Sequence, residues 1–314
     1  VLTGCILKKD KRKFAKKFDY VLSVKDLLKW HKVFSHKIDD RQFYKKKSYF
    51  DIEPKYTNEF SAFVPISNGC NNACTYCAVP LTRGQLICRS HKKILEEAKN
   101  VIRKGFKEIW LLGQNVNDYS SELKIKGKKI KTINFAKLLK LVNDIPGNFW
   151  LRFTSPNPAD SSDELVKTMA ECEKITPYLN LPLQSGDDTI LKKMNRRYTI
   201  KNYRNLVKKI RKAIPEICLS TDIIVGFPGE TKKQFENTKK LMKEIKFDMA
   251  YIAKYSPRPG TAAERLKDNV SRKEKNRREK ILTEILEKTA LNNNKKYIGK
   301  TIDVLIDKYK NGFL

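Results

Sequence analysis

The sequence predicts an α/β fold, a parallel sheet with helices packed outside it. Three observations carry this. Between Ser61 and Ser256, short apolar runs alternate with amphipathic segments in six β-α units, the pattern of repeated strand-helix crossovers. Ser161 with Glu164, Thr231 with Gln234 and Ser271 with Glu274 each fit a capping box, where a hydroxyl meets a free N–H of the first helical turn and the later side chain reaches back. The apolar runs end in polar or glycine-rich turns, GQN, SPNP, QSGD, GFPGE and SPRPG. In barrels and open α/β sheets, ligands bind at that rim.

Taken in order, SAFVPIS (61–67) reads as a strand, and HKKILEEAKNVIRKG as a helix closed by Gly105. EIWLLG is the second strand and FAKLLKLVNDI its helix. NFWLRFTS and DELVKTMAEC form the third pair. YLNLPL leads through a short helical turn to KNYRNLVKKIRKAI. EICLSTDIIVG precedes KKQFENTKKLMKEI, and FDMAYIAKYS is the sixth strand. Apolar residues recur at helical spacing in the helical segments and run nearly continuously in the others, as buried parallel strands do.

Flanking pieces differ in composition. Residues 1–50 are lysine-rich and contain FDYVLSVKDLLKWH, and residues 37–60 read as a polar linker. SRKEKNRREKILTEILEKTALNNNKK predicts a long basic helix whose Ile281, Leu282, Ile285 and Leu286 could pack on the sheet. IGKTIDVLIDKYKNGFL then begins a β-like segment. The chain starts at Val1 and stops inside that segment, so the expectation is a piece of a longer protein, cut at both ends.

The 314 residues carry a formal net charge of +31, which length alone divides into about two domains. Basic runs at Lys8–Lys17, Lys124–Lys131 and Arg272–Lys280 fit either solvated lysine-rich faces or a polyanionic partner bound in a salt-dependent way. They lack the wide apolar face of a membrane-surface helix. No apolar run is long enough to span a bilayer and nothing resembles a signal peptide. The expected location is the cytoplasm. Seven cysteines in such a chain do not make a disulfide framework. Cys172 and Cys218 sit in apolar segments and read as core thiols.

Cys70, Cys74 and Cys77 are different. They fall within eight residues, spaced C-x3-C-x2-C, just after the first strand. Three thiolates can hold three irons of a cubane cluster and leave the fourth open to an exogenous ligand, as catalytic metal sites keep a position open. The alternative is a zinc site completed by Cys88 or His91.

GCNNACTYCAVPLTRG, LLGQNVNDY, RFTSPNP, LPLQSGDD, MNRRYT, STDIIVGFPGET and YSPRPGTAA, in that order over most of residues 60–290, together resemble the methylthiotransferases of the radical S-adenosylmethionine superfamily. LLGQNVN resembles the branch that modifies tRNA. The resemblance implies a partial (β/α)6 radical-SAM barrel at 56–290. It also implies the end of an N-terminal α/β methylthiotransferase domain within residues 1–50, and the start of a C-terminal TRAM β-barrel, a small RNA-binding domain, at 296–314. It implies a [4Fe-4S] cluster on Cys70, Cys74 and Cys77 with S-adenosylmethionine on the open iron, where one-electron cleavage yields a 5′-deoxyadenosyl radical. Cys5, in LTGC, corresponds to one ligand of a second, auxiliary [4Fe-4S] cluster, whose other two cysteines would lie upstream.

By the same resemblance, Tyr76 is the aromatic residue before the last cysteine. Gln114 and Asn115 would contact the methionyl end of the cofactor, and Gln184 and Ser185 its ribose. Gly226, Phe227 and Pro228 would lie against the adenine. Each also reads as ordinary turn chemistry. Arg83, Arg196 and Arg197 could pair with a carboxylate or an RNA phosphate, and the basic helix from Arg272 could position tRNA through its backbone. The family often carries an acid where Leu86 stands and serine where Cys88 stands; Cys88 is read as a small thiol in place of a small hydroxyl. The implied activity adds a methylthio group to C2 of N6-isopentenyladenosine beside the tRNA anticodon. The implied partners are the anticodon loop, S-adenosylmethionine and an electron donor such as flavodoxin or ferredoxin, acting on a monomer. Two rival readings stand: a sibling methylthiotransferase for threonylcarbamoyl-adenosine or a ribosomal-protein aspartate, and an inactive tRNA-binding remnant.

Overall fold

The computed structural model describes residues 1–34, 48–52, 54–56, 59–124 and 130–306. In chain order its elements are a short helix α1 (Lys11–Ala15), β1 (Ser61–Pro65), β2 (Ser67–Asn68), α2 (Val79–Thr82), β3 (Ile87–Cys88), α3 (His91–Arg103) and β4 (Glu108–Leu112). Then come β5 (Ser120–Lys124), β6 (Ile130–Asn134), α4 (Phe135–Asn143), β7 (Trp150–Phe153), α5 (Asp163–Glu171), β8 (Tyr178–Asn180) and α6 (Asp188–Lys193). Last are α7 (Ile200–Ala213), β9 (Cys218–Val225), α8 (Lys232–Ile245), β10 (Met249–Lys254) and α9 (Arg272–Asn294).

The six expected strands all form and all run parallel, in two three-stranded sheets, β1-β4-β7 and β10-β9-β8. Registers include Val64 with Leu111, Leu111 with Phe153, and Leu219 with Leu179. An isolated bridge between Leu151 and Ile175 joins the two halves, closed by the Leu151 N–H to Lys174 O at 2.6 Å and the Thr176 N–H to Leu151 O at 3.2 Å. Among the described residues no ladder joins β1 to β10, so the curved sheet stays an open barrel. Val64, Ile109, Leu111, Leu151 and Leu219 on the strands are fully buried, as are Ile94, Ala98, Leu138 and Leu139 on the helices. Each of these valines, leucines and isoleucines contributes about 1.5–3 kcal/mol by leaving water.

The structure departs from expectation in places that have physical causes. YLNLPL gives only Tyr178–Asn180 as strand, because Pro182 has no N–H for a ladder; regular pairing with β9 recurs at a single bridge, Gln184 with Ile223. The antiparallel pair β5-β6 was not foreseen, since lysines interrupt its alternation; residues 125–129 of the basic run Lys124–Lys131 lie outside the described residues. Helix α5 is capped by Ser162 rather than Ser161. Thr231 and Gln234 do form the capping box, and so do Thr199 and Asn202, where asparagine replaces the usual glutamate or glutamine. Ser271 caps α9, but Glu274 turns to Arg277 and Arg278 instead of reaching back. Cys172 is buried as expected, whereas Cys218, first in β9, is only half-buried.

The flanks are sparser. Leu2 bridges Val21 in parallel; most of the presumed linker lies outside the described residues. The β-like segment after Lys300 forms no strand over 301–306, and Ile302 and Val304 stay exposed. A strand needs a partner for its N–H and C=O groups, and among the described residues none lies there; residues 307–314 are outside them.

Helix α9 is as long and basic as its sequence suggests, and its Leu282, Ile281, Ile285 and Leu286 pack on the core. Two of its cations are also buried. Arg278 donates to the Glu230 carboxylate at 2.6 Å and to Glu230 O at 3.2 Å, while Glu230 accepts the Gly226 N–H at 2.6 Å. Lys275 bonds Asp268 at 2.5 Å and Tyr255 O at 3.3 Å. Its methylenes lie where a Cβ on Gly226 would be, 2.4 Å away, and Gly226 has φ +69°, so the GFPGE turn admits only glycine there. Arg278→Met should lower the unfolding free energy of the metal-free protein by about 3–5 kcal/mol, because it strands a buried carboxylate. Urea denaturation checks this, and a loss below about 1 kcal/mol would contradict it. Hydrogen bonds from Arg277, opposed by burial and helped by one from Arg278, hold the Glu274 carboxyl down at about 2. A depressed carboxyl stabilises the fold above its unfolded pKa and loses that contribution as pH falls through the folded value. Acid titration should therefore show the parent losing, between about pH 4.5 and 2, a stability increment that Glu274→Gln lacks at every pH.

Candidate active site

The cysteine loop hangs from the C-terminal end of β1 and is closed at its base by the β2-β3 ladder, Ser67 with Cys88 and Asn68 with Ile87. Gly69 starts it with φ +83°, and a Cβ there would sit 2.1 Å from Gln85 O. The loop is tied down on three sides. Gly69 N–H donates to Gln114 Oε1 at 2.6 Å, so Gln114 fastens the loop rather than capping a helix. Cys70 N–H reaches Gly84 O at 3.2 Å, and Ala263 N–H reaches Thr75 O at 2.8 Å. From the 193–195 turn, Met194 O accepts the Thr75 N–H (3.1 Å), Lys193 O accepts the Thr75 hydroxyl (2.9 Å), and Asn195 Nδ2 donates to Ala73 O (2.8 Å).

Each thiol of the trio accepts an N–H. Asn72 N–H lies 3.4 Å from Cys70 Sγ, Val79 N–H 3.5 Å from Cys77 Sγ, and Arg196 Nη1 3.4 Å from Cys74 Sγ. The three open on one cavity of about 270 Å³, lined also by Asn72, Tyr76, Val79, Gln114, Asn115, Ser155, Pro156, Asn157, Asn180, Pro182, Gln184, Arg196 and Asp222. Burial pushes the Cys77 thiol up, against the Val79 N–H and with help from the charges of Cys74 and Cys70. Burial likewise raises the Asp222 carboxyl, against the Asn180 hydrogen bond at 3.0 Å and the Arg196 charge. Asn115 donates to Asp160 at 2.9 Å, yet among the described residues its buried Oδ1 has no partner. Ser155 (φ +57°) and Gln184 (φ +68°) line the cavity in the left-handed region, and Asn195 (φ +55°) sits beside the loop. Such strain in non-glycine residues gathers where function demands a fixed shape.

Of the residues singled out from the sequence, Cys70, Cys74, Cys77, Tyr76, Gln114, Asn115, Gln184 and Arg196 meet at this cavity. Ser185 is fully buried, with its hydroxyl accepting the Asp187 N–H at 3.3 Å. Phe227 is buried against Tyr255, ring centroids 5.3 Å apart, and Pro228 lines an adjoining cavity together with Thr75. Arg83 stands near the loop's base, its Nε 3.3 Å from Cys5 Sγ and its Nη1 3.5 Å from Asn68 Oδ1. Arg197 is exposed and pairs with Asp160 at 2.7 Å. Cys88 accepts the Ser120 N–H at 3.4 Å and His91 faces Ser121; neither lines the cavity. Among the described residues no three His, Cys, Asp or Glu side chains close on one metal ion. Ser155, Asn157, Asn180 and Asp222 were missed. SPNP was visible as a rim turn, but only the strand alternation that turns Asp222 and Asn180 inward could have marked those two. Asn117 was missed as well: it exchanges two hydrogen bonds with the Asn157 backbone, both 2.9 Å, and thereby holds SPNP against QNVN.

Residues 64–242 match the family model described as the Radical SAM superfamily. The chain belongs to the radical SAM superfamily. Its curved sheet agrees: it superposes on coproporphyrinogen III oxidase from Escherichia coli with a TM-score of 0.53 at 16% identity, covering 74% of this chain and 54% of that one. Streptococcus suis SuiB gives a TM-score of 0.50 at 14% identity, covering 74% and 48%. Similarity in sequence is much higher to tRNA-2-methylthio-N(6)-dimethylallyladenosine synthases, 48% over 250 residues for Clostridium novyi, covering 80% of this chain and 54% of that protein. For Acetivibrio thermocellus it is 46%, covering 78% and 50%. The chain spans about half the length of these curated relatives.

The residues present fit the cofactors of a radical SAM protein. Thiols are the ligands an iron–sulfur cluster takes, and each of the three here accepts one N–H bond while facing the shared cavity. In the same cavity, the Asn115 Oδ1, without a partner among the described residues, can accept from an amine, and Arg196 can receive a carboxylate.

Cys5 is exposed. Burial would raise its thiol, but hydrogen bonds from Arg83 and Thr82 and the Arg83 charge bring it below the ordinary value. Burial drives Cys218 up to about 11 and raises Cys172. With limiting iodoacetamide at neutral pH, Cys5 of the metal-free protein should be alkylated at least ~10-fold faster than Cys172 or Cys218, since the thiolate is the nucleophile. Peptide mass spectrometry reads the order, and equal rates would contradict the assignment.

Proposed function

We propose that the chain is the radical-generating part of a tRNA methylthiotransferase, which places a methylthio group on C2 of N6-isopentenyladenosine beside the anticodon. One observation carries the reading: three N–H-bonded thiols share a polar cavity with Asn115, Gln184, Arg196 and Asp222, in a chain 48% identical to a tRNA-2-methylthio-N(6)-dimethylallyladenosine synthase. In this reading Cys70, Cys74 and Cys77 hold a [4Fe-4S] cluster whose open iron takes S-adenosylmethionine. Together these supply one-electron cleavage of a carbon–sulfur bond, which suits an adenine C2–H too weakly acidic for a general base. Gln114 keeps the loop in place. Asn115 takes the methionyl end, Gln184 and Ser185 the ribose, and the turn of Gly226, Phe227 and Pro228 the adenine. Tyr76 packs against the small apolar cluster that contains Phe227.

Cys5 serves an auxiliary cluster; its position beside Arg83 supports this, because it brings a further thiol to the end of the cysteine loop. The charge of +31 suits an RNA partner, approached through Arg197 and Arg83 at the rim, with the target base splayed out of its loop. Residues 1–50, 56–290 and 296–314 belong in this reading to a methylthiotransferase domain, the radical core and a TRAM domain. The chain acts as a cytoplasmic monomer supplied with electrons by a flavodoxin or ferredoxin. Among the described residues no helix is long and apolar enough to cross a membrane.

Anaerobic reconstitution with iron and sulfide should load about four irons on the core cysteines and give 5′-deoxyadenosine from S-adenosylmethionine under dithionite. Cys70→Ala, Cys74→Ala and Cys77→Ala should each abolish both. Loading without cleavage in the parent chain would sink the reading. In a strain lacking the gene, mass analysis of tRNA nucleosides should show methylthio-isopentenyladenosine replaced by isopentenyladenosine. Loss of a different modification instead would assign the chain to a sibling enzyme.

A further inference from the structure

Arg196 is the residue whose surroundings differ most from what its sequence suggests. It follows the helix α6 on the rim, in MNRRYT, beside an exposed neighbour, Arg197. Its guanidinium nonetheless turns into the cavity. Nη1 donates to Cys74 Sγ at 3.4 Å, Nη2 to Asn157 Oδ1 at 3.2 Å and to Pro182 O at 3.5 Å, and Nε to the Tyr198 hydroxyl at 3.2 Å. The Tyr198 ring lies 5.0 Å from the guanidinium carbon. The backbone that presents it is fixed as well. Arg196 N–H bonds Leu191 O at 2.9 Å, and the preceding residues make the Lys193, Met194 and Asn195 bonds to the cysteine loop. Helix end and loop therefore move together.

The three thiols are not equivalent in their donors. Cys70 and Cys77 receive neutral N–H groups from Asn72 and Val79. Cys74 receives a formal charge. The other rim arginines are spent elsewhere, Arg83 on Cys5 and Asn68, Arg197 on Asp160. The acid facing this cavity, Asp222, is bonded to Asn180.

We propose that Arg196 is a positioning residue that sets the reduction potential of the cluster, through its charged hydrogen bond to Cys74. This rests on reading the three cysteines as the cluster site. Reduction adds negative charge to a centre already bearing three thiolates. A fixed cation against one ligand sulfur, in a half-buried cavity of low dielectric, stabilises the reduced form more than the oxidised one. The two neutral donors do less because they carry no net charge.

The test is a redox titration of the anaerobically reconstituted chain, followed by electron paramagnetic resonance before any S-adenosylmethionine is added. Arg196→Met should shift the midpoint to more negative potential. Arg196→Gln, which keeps a donor and loses the charge, should shift in the same direction by less. Arg204→Met, at an exposed pair with Glu244, should leave the midpoint unchanged. A parental midpoint in Arg196→Met at full iron content overturns the proposal. So does failure of both Arg196 variants to load iron while circular dichroism stays native, which would place the residue in cluster assembly. If Arg196→Met alone fails to load, Arg196→Gln decides by the same criterion. A parent chain that takes up no cluster refutes the reading of the site instead, so the two failures are distinguishable.

Discussion

The structure depends on one constraint: three thiols from one short loop must face the same small cavity while bearing like charges when ionised. The loop's own Asn72 and Val79 N–H groups serve two of the sulfurs, but they do not fix the loop on the barrel. The restraint comes from N–H donors on each sulfur and from the anchors that stop the loop from relaxing. Gln114 reaches in from the end of β4, the 193–195 turn from the end of α6, and Ala263 from beyond β10. Those anchors lie far apart in the chain and meet only because parallel strands all end at one rim. The barrel is thus the means of bringing distant donors to one loop, which is why a sheet of buried apolar strands precedes any chemistry.

A second layer of polar contacts supports the first from outside. Glu230 holds the Gly226 N–H, and Arg278 neutralises Glu230 from α9. A buried ion pair adds little net stability over an apolar equivalent, since desolvation offsets attraction. What it adds here is shape: the carboxylate can satisfy both the turn's amide and the arginine only in one arrangement. The basic helix read from sequence as an RNA-facing element therefore has two faces. Lys275 and Arg278 are turned inward to the GFPGE turn, while Lys273 and Lys280 remain at the surface.

Much of this was legible in the sequence, and the limits are instructive. The strands and helices were readable because a buried parallel strand and an amphipathic helix each leave a local pattern. Cys70, Cys74 and Cys77 were readable because one loop carries all three. Asn180 and Asp222 were not, because each is a single polar residue whose inward direction is set by pairing with a neighbouring strand, and Asn157 was not, because its turn is placed by Asn117, forty residues earlier. Arg196 was visible as a rim arginine, but its burial depends on Tyr198, Pro182 and Asn157, which no local window joins. The short fourth strand was hidden in the other direction: YLNLPL is apolar enough to read as a whole strand, and only the missing N–H of Pro182 stops it. The buried cations of α9 were invisible because a lysine-rich helix looks the same from every side.

The two-residue ladder of β2 and β3 has a consequence for how the protein comes apart. It fastens residues 69–86 at their base, so the loop is a closed appendage rather than a stretch of the barrel wall. The β1-β4 ladder ends at Pro65, before the loop begins. Opening the loop breaks its anchors and the bonds to its sulfurs but no strand pairing in the barrel. Such a segment forms its own low-energy opening unit, distinct from global unfolding. Damage to the thiols can then be confined to the appendage, and the barrel survives as a folded template to which the loop can return.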